Sequence, residues 1–137
     1  MITPILESQR MILRQPTLKD AEHIFKSWTS DPEVAKFMIW DVHESVGDTT
    51  EWLKMVEEEL DSDQKYNWGF VLKETGELIG TGGIYFKEEH GCFELGYNIM
   101  KKYWGQGLTT EASKVILEFA SNTLGQKKLL GEALINN

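Results

Sequence analysis

Residues 104–110, Trp-Gly-Gln-Gly-Leu-Thr-Thr, place two glycines and two hydroxyls where an apolar strand pattern gives way to an amphipathic helix pattern. That combination suits an anion. A helix N-terminus carries N–H groups with no intrahelical acceptor and the positive end of the helix dipole. Glycine lets a large anion approach the backbone and reaches positive φ without strain. Gly105 and Gly107 thus suit a phosphate or pyrophosphate, although a plain strand-to-helix turn would contain the same two glycines. The hydroxyls of Thr109 and Thr110 either hydrogen-bond the anion or cap the first helical turn. The other reactive side chains are scattered. His23 and His43 lack partners at metal-ligand or triad spacing, so no metal is expected. Cys92 is the single cysteine and opens an apolar run, where packing is its expected role.

The elements that hold this turn follow from the hydrophobic pattern. Residues 92–100 are mostly apolar, aromatic or β-branched, as a buried strand requires. From Leu108 the period changes: Leu108, Ala112, Val115, Ile116, Phe119, Ala120 and Leu124 form one helical face, and Gly125 stands where a helix C-cap favours glycine. Upstream, residues 66–73 and 78–87 read as strands joined by a turn at residues 74–77, and residues 87–91 form a second turn. Gly80, Gly82 and Gly83 inside the second strand predict a bulge or a close backbone approach. Nearer the N-terminus, Met11 and Leu13 alternate with charged neighbours in a half-exposed first strand. Thr17 to Asp20 is a capping box opening a helix with Ala21, Ile24, Phe25 and Trp28 on its apolar face. Residues 30–47 read as irregular and aromatic. A second helix is expected from Asp48, with Trp52, Leu53, Val56 and Leu60 packed inward.

Composition narrows the functional classes. The chain has 137 residues, 41% of them hydrophobic, with five tryptophans. That is one globular domain, with enough chain for a real core. The net charge of −8 argues against nucleic acid as a partner and is compatible with cationic ones. No apolar run approaches membrane-spanning length, and the first residues lack a basic segment followed by an apolar one. A single cysteine fits a reducing, cytoplasmic setting.

The phrase Glu94-Leu95-Gly96-Tyr97 followed by Tyr103-Trp104-Gly105-Gln106-Gly107-Leu108-Thr109-Thr110-Glu111-Ala112 resembles the acetyl-CoA motif of the GNAT N-acetyltransferases. Their pattern is Q/R-x-x-G-x-G/A. Gly107 holds the central position, while Trp104 replaces the usual Gln or Arg and Thr109 the usual Gly or Ala. The wider phrase, with residues 10–25 and 30–38, is similar to the branch that contains the ribosomal-protein alanine acetyltransferases, and it covers the chain from about Ser8 to the end. This resemblance implies an α/β (α+β) fold with a mixed, mostly antiparallel, twisted sheet flanked by helices. It implies acetyl-CoA as co-substrate and acetyl transfer to a primary amine, a protein N-terminus or a small molecule, by direct attack in a ternary complex. Backbone groups of Asn98, Ile99 and Met100 would pair with the pantetheine arm. Trp104, Gly105, Gln106, Gly107, Leu108, Thr109 and Thr110 would hold the pyrophosphate. Glu94 would be the general base, or else a structural ion-pair partner. Trp40, Asp41 and Tyr97 would border the acceptor, unless they simply cover core.

Residues 127–135 read as a last strand, and Asn137 matches the asparagine that leads to the next helix in this family, which the resemblance makes a further cofactor-binding residue. The resemblance leads one to expect a further helix and two strands, so the domain, spanning residues 1–137, reads as incomplete at its C-terminus. A strand edge so uncovered is expected to pair with a second copy as a two-fold dimer. It also makes a catalytically incomplete CoA-binding or assembly module the competing function. An unrelated phosphate-binding α/β domain is the third reading.

Overall fold

The computed structural model describes residues 1–36, 41–125 and the backbone of Leu129 and Leu130. Six strands form one sheet in the order of the chain: β1 (Leu6–Glu7), β2 (Met11–Arg14), β3 (Lys65–Leu72), β4 (Leu78–Lys87), β5 (Cys92–Ile99) and β6 (Leu129–Leu130). Each of the first five is antiparallel to its neighbour, and β6 runs parallel to β5. The expected mixed, mostly antiparallel sheet is therefore present.

Helix α4 (Leu108–Asn122) covers one face. Its Leu108, Ala112, Ile116, Phe119 and Ala120 pack on Tyr66, Trp68, Phe70, Ile84, Phe93, Leu95 and Ile99 of the sheet. Phe119 sits edge-on to Tyr66 and Trp68, with ring centroids 5.3 and 5.4 Å apart. Such pairs add about 1 kcal/mol each beyond simple burial. Ser113, whose polarity hides it from the apolar pattern, is also buried on this face.

The other core joins Ala21, Ile24, Trp28, Val34, Leu53 and Leu78. Its helical parts are α1 (Ala21–Ile24), α2 (Pro32–Ala35) and α3 (Val46–Glu58). The expected capping box forms, with Asp20 Oδ2 accepting from the Thr17 N–H at 2.8 Å. Past Ile24 the helix widens into a π-helical turn, Phe25–Thr29.

Three local expectations change. The expected first strand is preceded by the short β1, which pairs with it. The irregular stretch contains α2, started by Asp31, whose side chain accepts from the Glu33 N–H, and by Pro32 at the first helical position. The second helix begins at Val46, not Asp48, because Asp48 caps backward onto the Glu44 N–H at 2.9 Å. Of the expected last strand, only Leu129–Leu130 lies within the described residues, as β6 at the sheet edge.

The glycines of β4 mark both a pairing irregularity, at Phe70/Val71 opposite, and close approach. A Cβ on Gly83 would stand 2.0 Å from the Tyr66 carbonyl oxygen and 3.0 Å from the Tyr85 hydroxyl. Neither backbone can yield without opening the ladder. Gly83→Ala should therefore lower unfolding free energy by about 3 kcal/mol in urea titration. Gly76→Ala, in a turn at φ 74° with nothing within 4 Å, should cost only about 1–2 kcal/mol.

Candidate functional site

Strand β5 ends at a cleft of about 300 Å³ lined by Val34, Tyr97, Asn98, Ile99, Tyr103, Trp104, Gly105, Gly107, Leu108 and Thr109. The glycine turn thus meets the strand as its sequence requires. Gly105 and Gly107 have φ of 78° and 75°, both in the left-handed region. Gly107 is also the N-cap of α4, and the first intrahelical bond is Glu111 N–H to the Gly107 carbonyl at 3.0 Å. The N–H groups of Leu108, Thr109 and Thr110 come before that bond and lie at the positive end of a helix of 15 residues. Among the described residues neither threonine hydroxyl caps the helix. Thr109 lines the cleft, whereas Thr110 is exposed beside it.

At the end of β5 the backbone alternates. Met100 donates its N–H to the Ile79 carbonyl of β4 at 2.8 Å and accepts from the Tyr103 N–H at 3.0 Å. Asn98 turns its carbonyl toward β4, close enough that a Cβ on Gly80 would meet it at 2.4 Å. Ile99 between them must face the other way. Its carbonyl accepts from the Trp104 indole N–H at 3.0 Å. On that outer side β6 pairs with β5 at Phe93 and Glu94. Of Asn98, Ile99 and Met100, it is Ile99 whose backbone faces away from β4, with its N–H free of β4 and its carbonyl held by Trp104. Both Met100 groups are engaged within the protein.

Trp104 is 40% exposed, with its indole braced on the strand edge. The short helical turn Lys101–Tyr103 between strand and glycines is tied down elsewhere. The Tyr103 hydroxyl donates to Glu77 at 2.5 Å, and that hydrogen bond, with burial and the Glu77 charge, pushes the phenol up. Lys101 pairs with Glu33 of α2. Val34 reaches the cleft from the same helix, and neither it nor Tyr103 was singled out from the sequence. Tyr103 had a signal, an aromatic just before the motif. Val34 had none, being 58 residues before the start of β5.

Glu94 is half-buried on β5, opposite Tyr85 on β4. It forms no ion pair among the described residues. It shares a sheet face with Gly96 and Asn98 and lies outside the cleft lining, about 13 Å along the strand from Asn98. The same face carries Tyr85, whose hydroxyl donates to Asn67 Oδ1 at 2.7 Å; burial and the nearby Glu59 push that phenol up. Asp41 is exposed, and Tyr97 lines the cleft. Trp40 and Asn137 lie outside the described residues. His23 contacts the Leu78 carbonyl at 2.6 Å and His43 contacts Thr49 at 2.7 Å. Both serve as structural contacts. No group of His, Cys, Asp and Glu side chains able to hold a metal occurs among the described residues.

A contact missed in the sequence ties the turn to the N-terminal strands. Glu111 accepts from the Ser8 hydroxyl at 2.5 Å, the Arg10 N–H at 2.8 Å and Arg10 Nε at 2.7 Å. Burial raises the Glu111 carboxyl, but these donors outweigh it and hold it below the ordinary glutamate range.

The family model for the acetyltransferase (GNAT) domain matches residues 10–137. An N-acetyltransferase of Bacillus subtilis, YoaA, is 31% identical over 92% of this chain and 71% of its own. Among solved structures, a candidate ribosomal-protein-serine acetyltransferase of Vibrio cholerae superposes with a TM-score of 0.80 at 22% identity, over 94% of this chain and 74% of that one. A microcin self-immunity acetyltransferase, solved with acetyl-CoA and AMP, gives 0.71 at 16% identity, over 84% of this chain and 64% of that one.

Glu111→Gln should lower stability at neutral pH by about 1–3 kcal/mol, read from urea unfolding. A depressed folded pKa contributes stability that is complete above the unfolded value, about 4.3, and is lost as pH falls through the folded value. The gap between wild type and Glu111→Gln should therefore close below about pH 4 and stay open above it.

Proposed function

Because the chain belongs to the acetyltransferase (GNAT) family, we propose that it moves an acetyl group from acetyl-CoA to a primary amine by direct attack within a ternary complex. The observation that carries this reading is the joining of two features at one cleft. The outward-facing edge of β5 at Ile99 runs into a left-handed glycine turn, and that turn opens a long helix. A pantetheine arm needs the first, and a pyrophosphate needs the second.

The residues present fit that donor. The amides of Leu108, Thr109 and Thr110, which precede the first intrahelical bond, would supply hydrogen-bond donors to its pyrophosphate, with the Thr109 hydroxyl as a further one. Ile99 offers the arm a strand edge, and Trp104 walls it. The amine nitrogen attacks the thioester carbonyl carbon, the new C–N bond forms and the C–S bond breaks. The proton lost by the amine balances the one the thiolate takes up. Glu94 is the proposed base, acting through water along the polar face it shares with Asn98.

The acceptor is a protein N-terminus or a small amine. Kinship with a ribosomal-protein acetyltransferase branch would favour the former, with Asp41 and Tyr97 near it. The same proposal includes a cytosolic setting, supported by the lone, buried Cys92, and a two-fold contact through the β6 edge, which light scattering would show as a dimer mass.

Acetyl-CoA at 100 times its dissociation constant should raise stability by about 2.7 kcal/mol in a thermal-shift series. Gly107→Glu should remove that shift by filling the turn and repelling phosphate, and an equal shift in both proteins would refute the site. Glu94→Gln should cut turnover about 100-fold or more while leaving acetyl-CoA affinity unchanged. Unchanged thiol release at neutral pH would assign Glu94 a structural role.

A further inference from the structure

Arg10 stands just before β2, 97 residues ahead of Gly107, yet its guanidinium reaches the glycine turn. Glu111 fixes it there. Nε donates to Oε1 at 2.7 Å, while the Arg10 backbone N–H and the Ser8 hydroxyl both donate to Oε2. Nη1 donates to the Gln106 carbonyl at 3.1 Å. That leaves Nη2, which makes no hydrogen bond among the described residues. It lies 3.7 Å from where a Cβ on Gly107 would stand, so it borders the space that glycine keeps open. The side chain is 45% exposed, against 17% for Glu111. The carboxylate is tucked behind and the cation faces the solvent side of the turn. The neighbouring lysines are turned elsewhere: Lys101 to Glu33 and Lys102 to Glu77, the latter at 3.7 Å.

We propose that Arg10 is a phosphate-binding specificity residue, through which the protein selects a nucleotide-bearing acetyl donor over acetyl-pantetheine, with Glu111 and Ser8 as its positioning residues. This rests on the functional reading above. The turn alone offers neutral N–H donors and the partial charge of a helix end. A guanidinium adds charge-assisted donors in a planar fork that matches phosphate oxygens, its positive charge partly offset by the Glu111 carboxylate behind it. Holding the fork on Glu111 in advance reduces the side-chain freedom lost on binding. The closing "Thr-Glu-Ala" of the motif thereby gains a physical reason, because Glu111 joins the first turn of α4 to the residue that completes its anion site. The phosphate is either the pyrophosphate or the 3′-phosphate of the donor.

Calorimetric titration of the whole chain with acetyl-CoA, 3′-dephospho-acetyl-CoA and acetyl-pantetheine tests this. Arg10→Ala should weaken acetyl-CoA about 10- to 100-fold, the loss of a charge-assisted hydrogen bond, with acetyl-pantetheine affinity unchanged. Its acetyl-CoA affinity should also fall less steeply with salt than that of the wild type. Should the loss persist with the dephospho donor, the pyrophosphate is the partner. Should it vanish, the 3′-phosphate is. If Arg10→Ala does not fold, Arg10→Lys, which keeps the charge near Glu111 but not the fork, should show a several-fold loss confined to the phosphate-bearing donors. Wild-type acetyl-CoA affinity in the folded variant overturns the proposal. So does an equal loss for acetyl-pantetheine, which would mark Arg10 as a mere brace of the turn. A wild-type protein that binds no acetyl-CoA would instead sink the functional reading, and this inference with it.

Discussion

Strand β5 has two unlike neighbours, and the site follows from that asymmetry. On one side β4 pairs with it from Cys92 to Ile99. On the other, β6 joins it in parallel at Phe93 and Glu94. A parallel partner has to be reached by a crossover, so the chain must leave β5, reverse and return through a helix. That requirement creates the glycine turn and the exposed N-terminus of α4. It also puts them beside a stretch of strand edge where Ile99 turns its backbone outward. The helix N-terminus with its glycine turn and the open strand edge are two products of one topological step.

The supports of this corner come from distant parts of the chain. Tyr103 leans on Glu77 in the β3–β4 turn, Lys101 on Glu33 in α2, and Glu111 on Arg10 and Ser8 beside β2. Exposed ion pairs stabilise little individually. Glu111, with three donors and a mostly covered carboxylate, is the exception. These ties locate the turn relative to the sheet, which α4 packing on Tyr66 and Trp68 cannot do alone. Apolar burial fixes the face of the helix that points inward, whereas directional bonds fix where its end stands.

What was legible in the sequence is what local chemistry decides. The change of period at Leu108 and the paired glycines gave the strand, turn and helix. The capping box at Thr17 to Asp20 formed as read. The span of β4 from Leu78 to Lys87 agrees at both ends. The expected start of α3 at Asp48 falls two residues late, because the Asp48 side chain bonds backward to the Glu44 N–H, a direction that its residue type alone does not give. Val34 and Arg10 were not legible at all, since their proximity to the cleft depends on how distant segments pack. The orientation of Ile99 against Asn98 and Met100 was also hidden: sequence marks a strand edge, but register decides which residues face it.

The central claim is that one acetyl donor occupies both the strand edge and the helix N-terminus. Amide hydrogen exchange with and without acetyl-CoA tests it directly. The amides of Ile99, Leu108, Thr109 and Thr110 should be protected together on adding acetyl-CoA, while those of the Gly76 turn exchange unchanged. Protection of the helix amides without Ile99, or of none of the four, would contradict a single ligand spanning the corner.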